Sequence, residues 1–231
     1  MLRSLVGSEM CIRDRCRNLT TVTFETGGNL QTIQNDAFQQ TAVTSLTLPA
    51  SLEYFGFMDN QQTPLRTIIF EANSRLQSVR SLVEAPFLTS IQFGTDSNFV
   101  IDDGVIYNAA RTDLFMYPRA RTGNFVIPVT VTRIAERAFK NTQITQIHIP
   151  ASVRSIDSGA FANTDLLTSV TFAPDIQLGE IQDEVFSSSG ITDIIIPASV
   201  RHIREGAFVE TYSLVSVIFA NGSILETIEG E

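Results

Sequence analysis

The stretch ITQIHIPASVRSIDSGAF, residues 144–161, decides the fold, because ITDIIIPASVRHIREGAF at residues 191–208 repeats it almost position by position. Its opening, an apolar residue followed by I-x-I or V-x-F, returns along the chain at a nearly constant interval. Its close, I-x-x-x-A-F, follows each opening at a regular distance. A period of about 23 residues indicates a solenoid, in which each repeat forms one coil that buries its apolar face against its neighbours.

Nine coils are visible in this pattern. The longest gap, between Leu88 and Ile144, hides one coil that would begin near Thr122. The other openings begin at Leu19, Val43, Leu65, Leu88, Ile144, Leu167, Ile191 and Leu214. Because alternate side chains of a strand share a face, V-x-F predicts a short strand with two inward side chains. The spacing of I-x-x-x-A-F predicts short turns, or 3₁₀ or helical segments, opposite that strand.

The coils have two lengths. In the short type, Pro-Ala-Ser follows the strand and Ile149 leads to Ile156, seven residues later. The long type inserts two residues, so that Phe172 leads to Ile181, nine residues later.

A column of small residues lies two or three positions before the opening of most coils, and we expect it to satisfy backbone groups in a tight buried bend. Its members are Cys16, Thr41, Thr63, Thr142, Thr164, Ser189 and Thr211. Cys16 is therefore interpreted as a member of this column, with a disulfide or a reactive thiol as the alternative.

These repeats resemble the BspA-like class of leucine-rich repeats, whose coils read L-T-x-I-x-I-P-x-S-V-x-x-I-x-x-x-A-F. The resemblance covers Cys16 to Glu231. Residues 99–121 resemble the hairpin that interrupts the coils of this family, with strands at 105–107 and 114–117. The resemblance implies a parallel-sheet solenoid, a surface-attached or extracellular location, and a role in adhesion or host interaction.

The first fifteen residues, MLRSLVGSEMCIRDR, share no pattern with the coils and are interpreted as a non-native leader. A signal peptide is the alternative, but Glu9 interrupts its short apolar run. The repeat spacing calls for Ala-Phe after Glu231, so we expect the single solenoid of residues 16–231 to be cut at both ends. An uncapped last coil is expected to fray or to promote aggregation.

The composition limits the classes of partner and ligand that are expected. With 25 acidic against 16 basic side chains the net charge is −9, which disfavours nucleic acid. The apolar fraction of 43% fits a folded chain, and no apolar run is long enough for membrane insertion. Two His and two Cys give no ligand cluster for a metal, and we expect no cofactor.

Strand residues that do not face the core form rows on the outer, usually concave, face of the sheet, and these rows are the candidate binding site. The candidates are Thr21, Thr23, Ser45, Thr47, Ser90, Gln92, Gln146, His148, Ser169, Thr171, Asp193 and Ser216. A structural alternative has equal standing, since stacked Thr and Ser also stabilise a sheet through cross-strand contacts. Aromatic and Arg anchors, which dominate binding hot spots, are absent from these rows.

Other candidate sites are weaker. The two histidines, His148 and His202, belong to different coils and no catalytic motif occurs, so an enzyme is not expected. Asp102-Asp103-Gly104 is interpreted as a β-turn, with a calcium loop as the alternative. Asn18 and Asn221 match the N-glycosylation pattern.

The sequence thus predicts a non-catalytic scaffold that binds a protein or a glycan at a cell surface. The alternative is a structural spacer that projects another domain and binds nothing itself. An enzyme would require a domain that this sequence does not contain.

Overall fold

The computed structural model of the chain describes residues 16–25, 27–35, 37–56, 64–85, 87–119 and 121–230. The interpretation of the first fifteen residues therefore lies outside the described residues. Two compact units meet in the chain at Gly104 and Val105. Each unit is a stack of coils built from parallel strands.

Unit 1 contains a three-stranded parallel sheet made of the first strands of successive coils. We call it the main sheet of this unit; its strands are β2 (Ser45–Leu48), β4 (Thr67–Phe70) and β5 (Ser90–Phe93). A second ladder joins the two-residue strands β1 (Thr32–Ile33) and β3 (Tyr54–Phe55), which belong to the coils that begin at Leu19 and Val43. A 3₁₀ helix (Arg80–Glu84) and strand β6 (Phe99–Asp102) complete the unit.

The main sheet of unit 2 has five parallel strands. They are β9 (Thr122–Val126), β11 (Gln143–Ile149), β13 (Ser169–Phe172), β15 (Asp193–Ile196) and β17 (Ser216–Phe219). A second ladder of two-residue strands, the short ladder, runs alongside it. Its strands are β10 (Arg133–Ile134), β12 (Ser155–Ile156), β14 (Glu180–Ile181), β16 (His202–Ile203) and β18 (Thr227–Ile228).

The expected hairpin is present in unit 2. Strand β7 (Val105–Asn108) pairs antiparallel with β8 (Asp113–Met116). Strand β8 then pairs in parallel with β10, placing Leu114 beside Ile134. Strand β8 of the hairpin therefore occupies the position in the short ladder that the Ile of an I-x-x-x-A-F segment occupies in a regular coil.

Stacked aromatic rings form the centre of the unit 2 core. Tyr117 follows the hairpin and packs on Phe139, and the rings continue through Phe161, Phe186 and Phe208 with centroid separations of 5.1, 4.9, 5.5 and 5.6 Å. Backbone bonds join the same segments, as where the N–H of Phe139 donates to the carbonyl of Ala160. Each coil thus adds one ring and one hydrogen bond to the column, which fixes the register of stacking.

The hydroxyl column has the expected role. Thr41, Thr142 and Thr164 each donate from Oγ1 to a buried carbonyl three residues earlier, at 2.7 to 2.8 Å. Thr211 instead donates to the carbonyl of Phe186 on the preceding coil, and the buried Ser189 hydroxyl has no partner among the described residues.

The two remaining members of that column are Thr63 and Cys16. Thr63 lies outside the described residues. Cys16 lies in a turn equivalent to that of Thr164. The carbonyl of Cys16 accepts from the N–H of Leu19, and the carbonyl of Thr164 accepts from the N–H of Leu167.

Three features differ from the sequence prediction. Residues 19–24 form no strand, so that eight of the nine predicted coils carry a main-sheet strand in the described residues. In the I-x-x-x-A-F segments the Ile lies in a two-residue strand paired with the Ile of a neighbouring coil, which was not predicted, and the predicted short turns follow it. The strands also form main sheets and short ladders, where one sheet was predicted.

Candidate functional site

The predicted rows are present on the outward face of the main sheets. In unit 1 the register aligns Ser45 with Thr67 and Ser90, and Thr47 with Ile69 and Gln92. Inward neighbours such as Leu46 and Ile68 are buried. Alternation along each strand therefore separates an apolar inner face from a polar outer face.

The longer rows lie in unit 2. One row contains Gln146, Ser169, Asp193 and Ser216 in continuous register, and a second places His148 beside Thr171. The Nδ1 atom of His148 lies 3.0 Å from Oγ1 of Thr171, so these two side chains contact one another across adjacent coils.

Apolar side chains accompany the second row. Val126 is paired with His148, and Ile195 is paired with Ile218. Their exposed fractions are 80% for Val126, 57% for Ile195 and 52% for Ile218. This face therefore offers both hydrogen-bonding groups and exposed aliphatic surface, the combination found at protein and ligand interfaces.

A further row, which was not predicted from the sequence, lies beside these two. It consists of the residue after each opening, which is Thr20, Thr44, Thr89, Thr145, Thr168 or Thr192 in six coils. Thr89 and Thr168 donate from Oγ1 to the carbonyl of the preceding coil at 3.3 Å. These hydroxyls connect coils, and the T of the L-T-x-I-x-I pattern was the signal that marks them.

The remaining candidates lie apart from the sheet rows. Thr21 and Thr23 are exposed but outside any strand, contrary to prediction. Asn18 and Asn221 are both exposed in turns. Asp103 and Gly104 have φ values of 49° and 81°, which fits the predicted β-turn. No cluster of three metal-ligating side chains occurs in the described ranges.

The short ladder of unit 2 carries ion pairs between coils, which were not predicted from the sequence. Arg133 lies between two carboxylates, with its Nη2 atom 2.5 Å from Asp157 and its Nη1 atom 3.5 Å from Asp113. The hydrogen bond to Asp157 raises the pKa of the Arg133 guanidinium above its ordinary value.

The same arrangement recurs further along the ladder. Arg204 lies between Glu180 and Glu229, at 2.7 and 2.8 Å. Its pKa is likewise raised, first by the hydrogen bond to Glu180. Arg201 pairs with Glu226 beside it. Each pair joins neighbouring coils, so these charges support stacking.

Parallel strands in register, coils of nearly constant length and an apolar interior define a leucine-rich-repeat solenoid. Residues 12–111 and 108–229 match the family model described as BspA type leucine rich repeat region (6 copies). The chain belongs to this BspA-type leucine-rich-repeat family.

Solved structures show the same fold. A leucine-rich repeat protein from Eubacterium ventriosum is 19% identical, with a TM-score of 0.66 over 90% of this chain and 66% of that one. A leucine rich cell surface protein from Faecalibacterium prausnitzii is 22% identical, with a TM-score of 0.59 over 90% of this chain and 57% of that one. The pneumococcal vaccine antigen PcpA is 18% identical, with a TM-score of 0.65 over 93% and 64%.

The chain thus spans 66% or less of the length of these three proteins. No curated protein matches it. Within the described ranges, none of the helices has the length and apolar character needed to cross a bilayer.

Proposed function

We propose that this repeat scaffold binds a protein or glycan partner through the outward face of the main sheet of unit 2, and does so outside the cell. The observation that carries the proposal is the pair of aligned rows on this face. The rows combine polar side chains such as Gln146 and Asp193 with the exposed aliphatic side chains of Ile195 and Ile218. Exposed apolar groups beside hydrogen-bonding groups are what a partner surface can bury and pair.

The names of two similar proteins support the extracellular location, since one is described as a cell surface protein and one as a vaccine antigen. We further propose that the chain is not catalytic. Within the described residues no carboxylate contacts His148 or His202, and each lies instead against a threonine of the next coil. Neither histidine therefore forms the base-and-carboxylate pair that hydrolytic sites use.

The test measures binding of the labelled chain to a glycan array and to immobilised extracellular-matrix proteins. Every ligand that binds is then tested against the double variant Ser169→Arg/Thr171→Arg. Two guanidinium groups in the centre of the rows should weaken binding at least tenfold through steric and charge conflict. The control is Asp175→Arg, which also changes the charge by two units but lies on an exposed turn of the same coil.

Equal binding by the double variant and the wild type would show that this face is not the site. If the wild type binds no glycan and no matrix protein, the alternative function of a structural spacer is favoured. In a spacer the rows stabilise the sheet and contact no partner. Thermal unfolding of each variant accompanies the binding assays, so that loss of fold is not read as loss of a contact.

A further inference from the structure

The short ladder of unit 2 is interrupted between β12 and β14. Elsewhere in this ladder, N–H groups of one coil donate to carbonyls of the coil before it, as Arg204 does to Ile181. At the interruption, the carbonyls of Arg154 and Ile156 accept no hydrogen bond from any described residue. Across it, the N–H groups of residues 179, 180 and 182 donate none. We call this interruption the ladder gap.

Backbone groups of this kind are almost always paired, with protein, water or a ligand. The gap opens to solvent as a groove of about 270 Å³. Its exposed position lets water satisfy these groups, and a ligand with hydroxyl groups can replace that water. The unpaired backbone is therefore the first observation that indicates a ligand.

Charge at the groove provides the second observation. Arg154 and Arg201 line it from the two flanking coils, at equivalent positions of their repeats. Arg201 pairs with Glu226. Arg154 donates to the carbonyl of Ala151 and has no carboxylate partner among the described residues. The protein has a net charge of −9, but the positive charge of the Arg154 guanidinium is not neutralised by a neighbouring carboxylate and can attract an anion.

Gly179 makes room between the two arginines. It occupies the position that Arg154 and Arg201 fill on their own coils, and a Cβ added there would meet no atom within 4 Å. Its φ lies outside the left-handed region, so its backbone does not itself require glycine. The absence of a side chain at residue 179 therefore keeps the groove open.

The carboxylate that lines the groove does not oppose an anion strongly. Glu180 accepts from Nε of Arg204 at 2.8 Å and from Nε2 of Gln182 at 2.7 Å. The hydroxyl of Ser155 has no partner among the described residues, and His202 bonds through Nδ1 to Thr227. Ser155 Oγ and His202 Nε2 can therefore bond to a ligand.

We propose that the ladder gap binds one acidic sugar unit, whose carboxylate or sulfate group pairs with Arg154 and Arg201 and whose hydroxyls bond the unpaired backbone groups. The groove is smaller than the 300 to 1,000 Å³ typical of sites for drug-sized ligands, which suits a single sugar ring. A peptide that adds to a sheet requires a longer exposed edge than two-residue strands offer. The site is independent of the proposed function, because it lies on the short ladder rather than on the main sheet.

The experiment titrates the isotopically labelled chain with trigalacturonate and follows backbone amide signals by NMR. The amides of Gly179, Glu180 and Gln182 should shift, and neutral maltotriose should move them at least tenfold less at the same concentration, because it lacks the anion. Galactose 6-sulfate, which carries a sulfate and no carboxylate, tests sulfate against carboxylate; binding of either sugar supports the proposal. Raising the salt concentration should weaken binding.

Two variants test the geometry. Arg154→Gln should weaken trigalacturonate binding about tenfold, since hydrogen bonds to a charged group are the strong ones. Gly179→Leu should abolish binding by filling the groove without a backbone clash. The matched control is Thr132→Leu, at the exposed equivalent position of a neighbouring coil, which should bind as the wild type does.

Several results would overturn the proposal. They are unchanged amide signals with both acidic sugars, equal response to maltotriose, and wild-type binding by a folded Gly179→Leu variant. Response to a hexaglutamate peptide without response to either sugar would also overturn it, since the ligand would then be an acidic peptide. Ser169→Arg/Thr171→Arg should leave the titration unchanged, so failure of the main-sheet site is distinguishable from failure of this one.

Discussion

Thr164 shows how a single buried hydroxyl stabilises a coil. Its Oγ1 atom donates to the carbonyl of Phe161 at 2.7 Å, and no other described group donates to that carbonyl. Thr164→Val retains the shape of the side chain and leaves the buried oxygen without a partner. We expect the free energy of unfolding to fall by about 1 to 3 kcal/mol, measured by urea denaturation.

Thr142 provides a matched control for that substitution. The carbonyl of Phe139 accepts from the Thr142 hydroxyl at 2.7 Å and also from the Thr142 backbone N–H at 3.2 Å. Thr142→Val therefore leaves one donor in place and should cost less than Thr164→Val. Equal losses for the two variants would show that the hydroxyl acts through packing rather than through the hydrogen bond.

At the scale of the element, the ion pairs of the short ladder join one coil to the next. Arg133 and Asp157 are partly exposed, so their attraction is screened by solvent. A double-mutant cycle with Arg133→Gln and Asp157→Asn should give a coupling of up to about 1 kcal/mol in low salt. In 1 M salt the coupling should shrink, because ions screen partly exposed charges.

The pair Glu136 and Arg137 is the comparison for this cycle. These residues are adjacent in the chain and their charged atoms lie 3.8 Å apart, so their contact joins no two coils. The same cycle on this pair should give no measurable coupling. A coupling at Arg133 and Asp157 that is unchanged by salt would contradict an electrostatic origin and indicate packing of the arginine stem instead.

The strands of the main sheets could be predicted because their apolar residues alternate along each strand and the pattern recurs from coil to coil. Ile147 and Ile149, for example, correspond to Ile194 and Ile196. The two-residue strand that contains the Ile of each I-x-x-x-A-F segment could not be predicted. The spacing of the segment also fits a helical turn, and the choice at the Ile depends on hydrogen bonds that a neighbouring coil supplies. The rows of the candidate site followed from register, whereas the ladder gap did not. Ile156 and Ile181 occupy their expected positions, and the interruption lies in the backbone between them.

At the scale of the whole molecule, a solenoid is stabilised by the contacts between adjacent coils, so stability varies along it. In the last described coil, Phe219 is 39% exposed where Ile196 on the preceding coil is fully buried. Ile228 is 64% exposed where Ile203 is 5% exposed. We therefore expect amides of residues 215–229 to exchange with deuterium at least tenfold faster than those of residues 169–186.

Amides of that coil can be protected from exchange by association with a second copy or by the neighbouring coil of the same chain. Hydrogen exchange measured at several protein concentrations separates these two origins. Protection that rises with concentration would mean that the exposed apolar face of the last coil is covered by a second copy, and sedimentation should then show association. Uniform protection through residue 229 in a dilute monomer would contradict the expected fraying. It would mean that a single neighbouring coil stabilises the last one as fully as two neighbours stabilise the coils inside the stack.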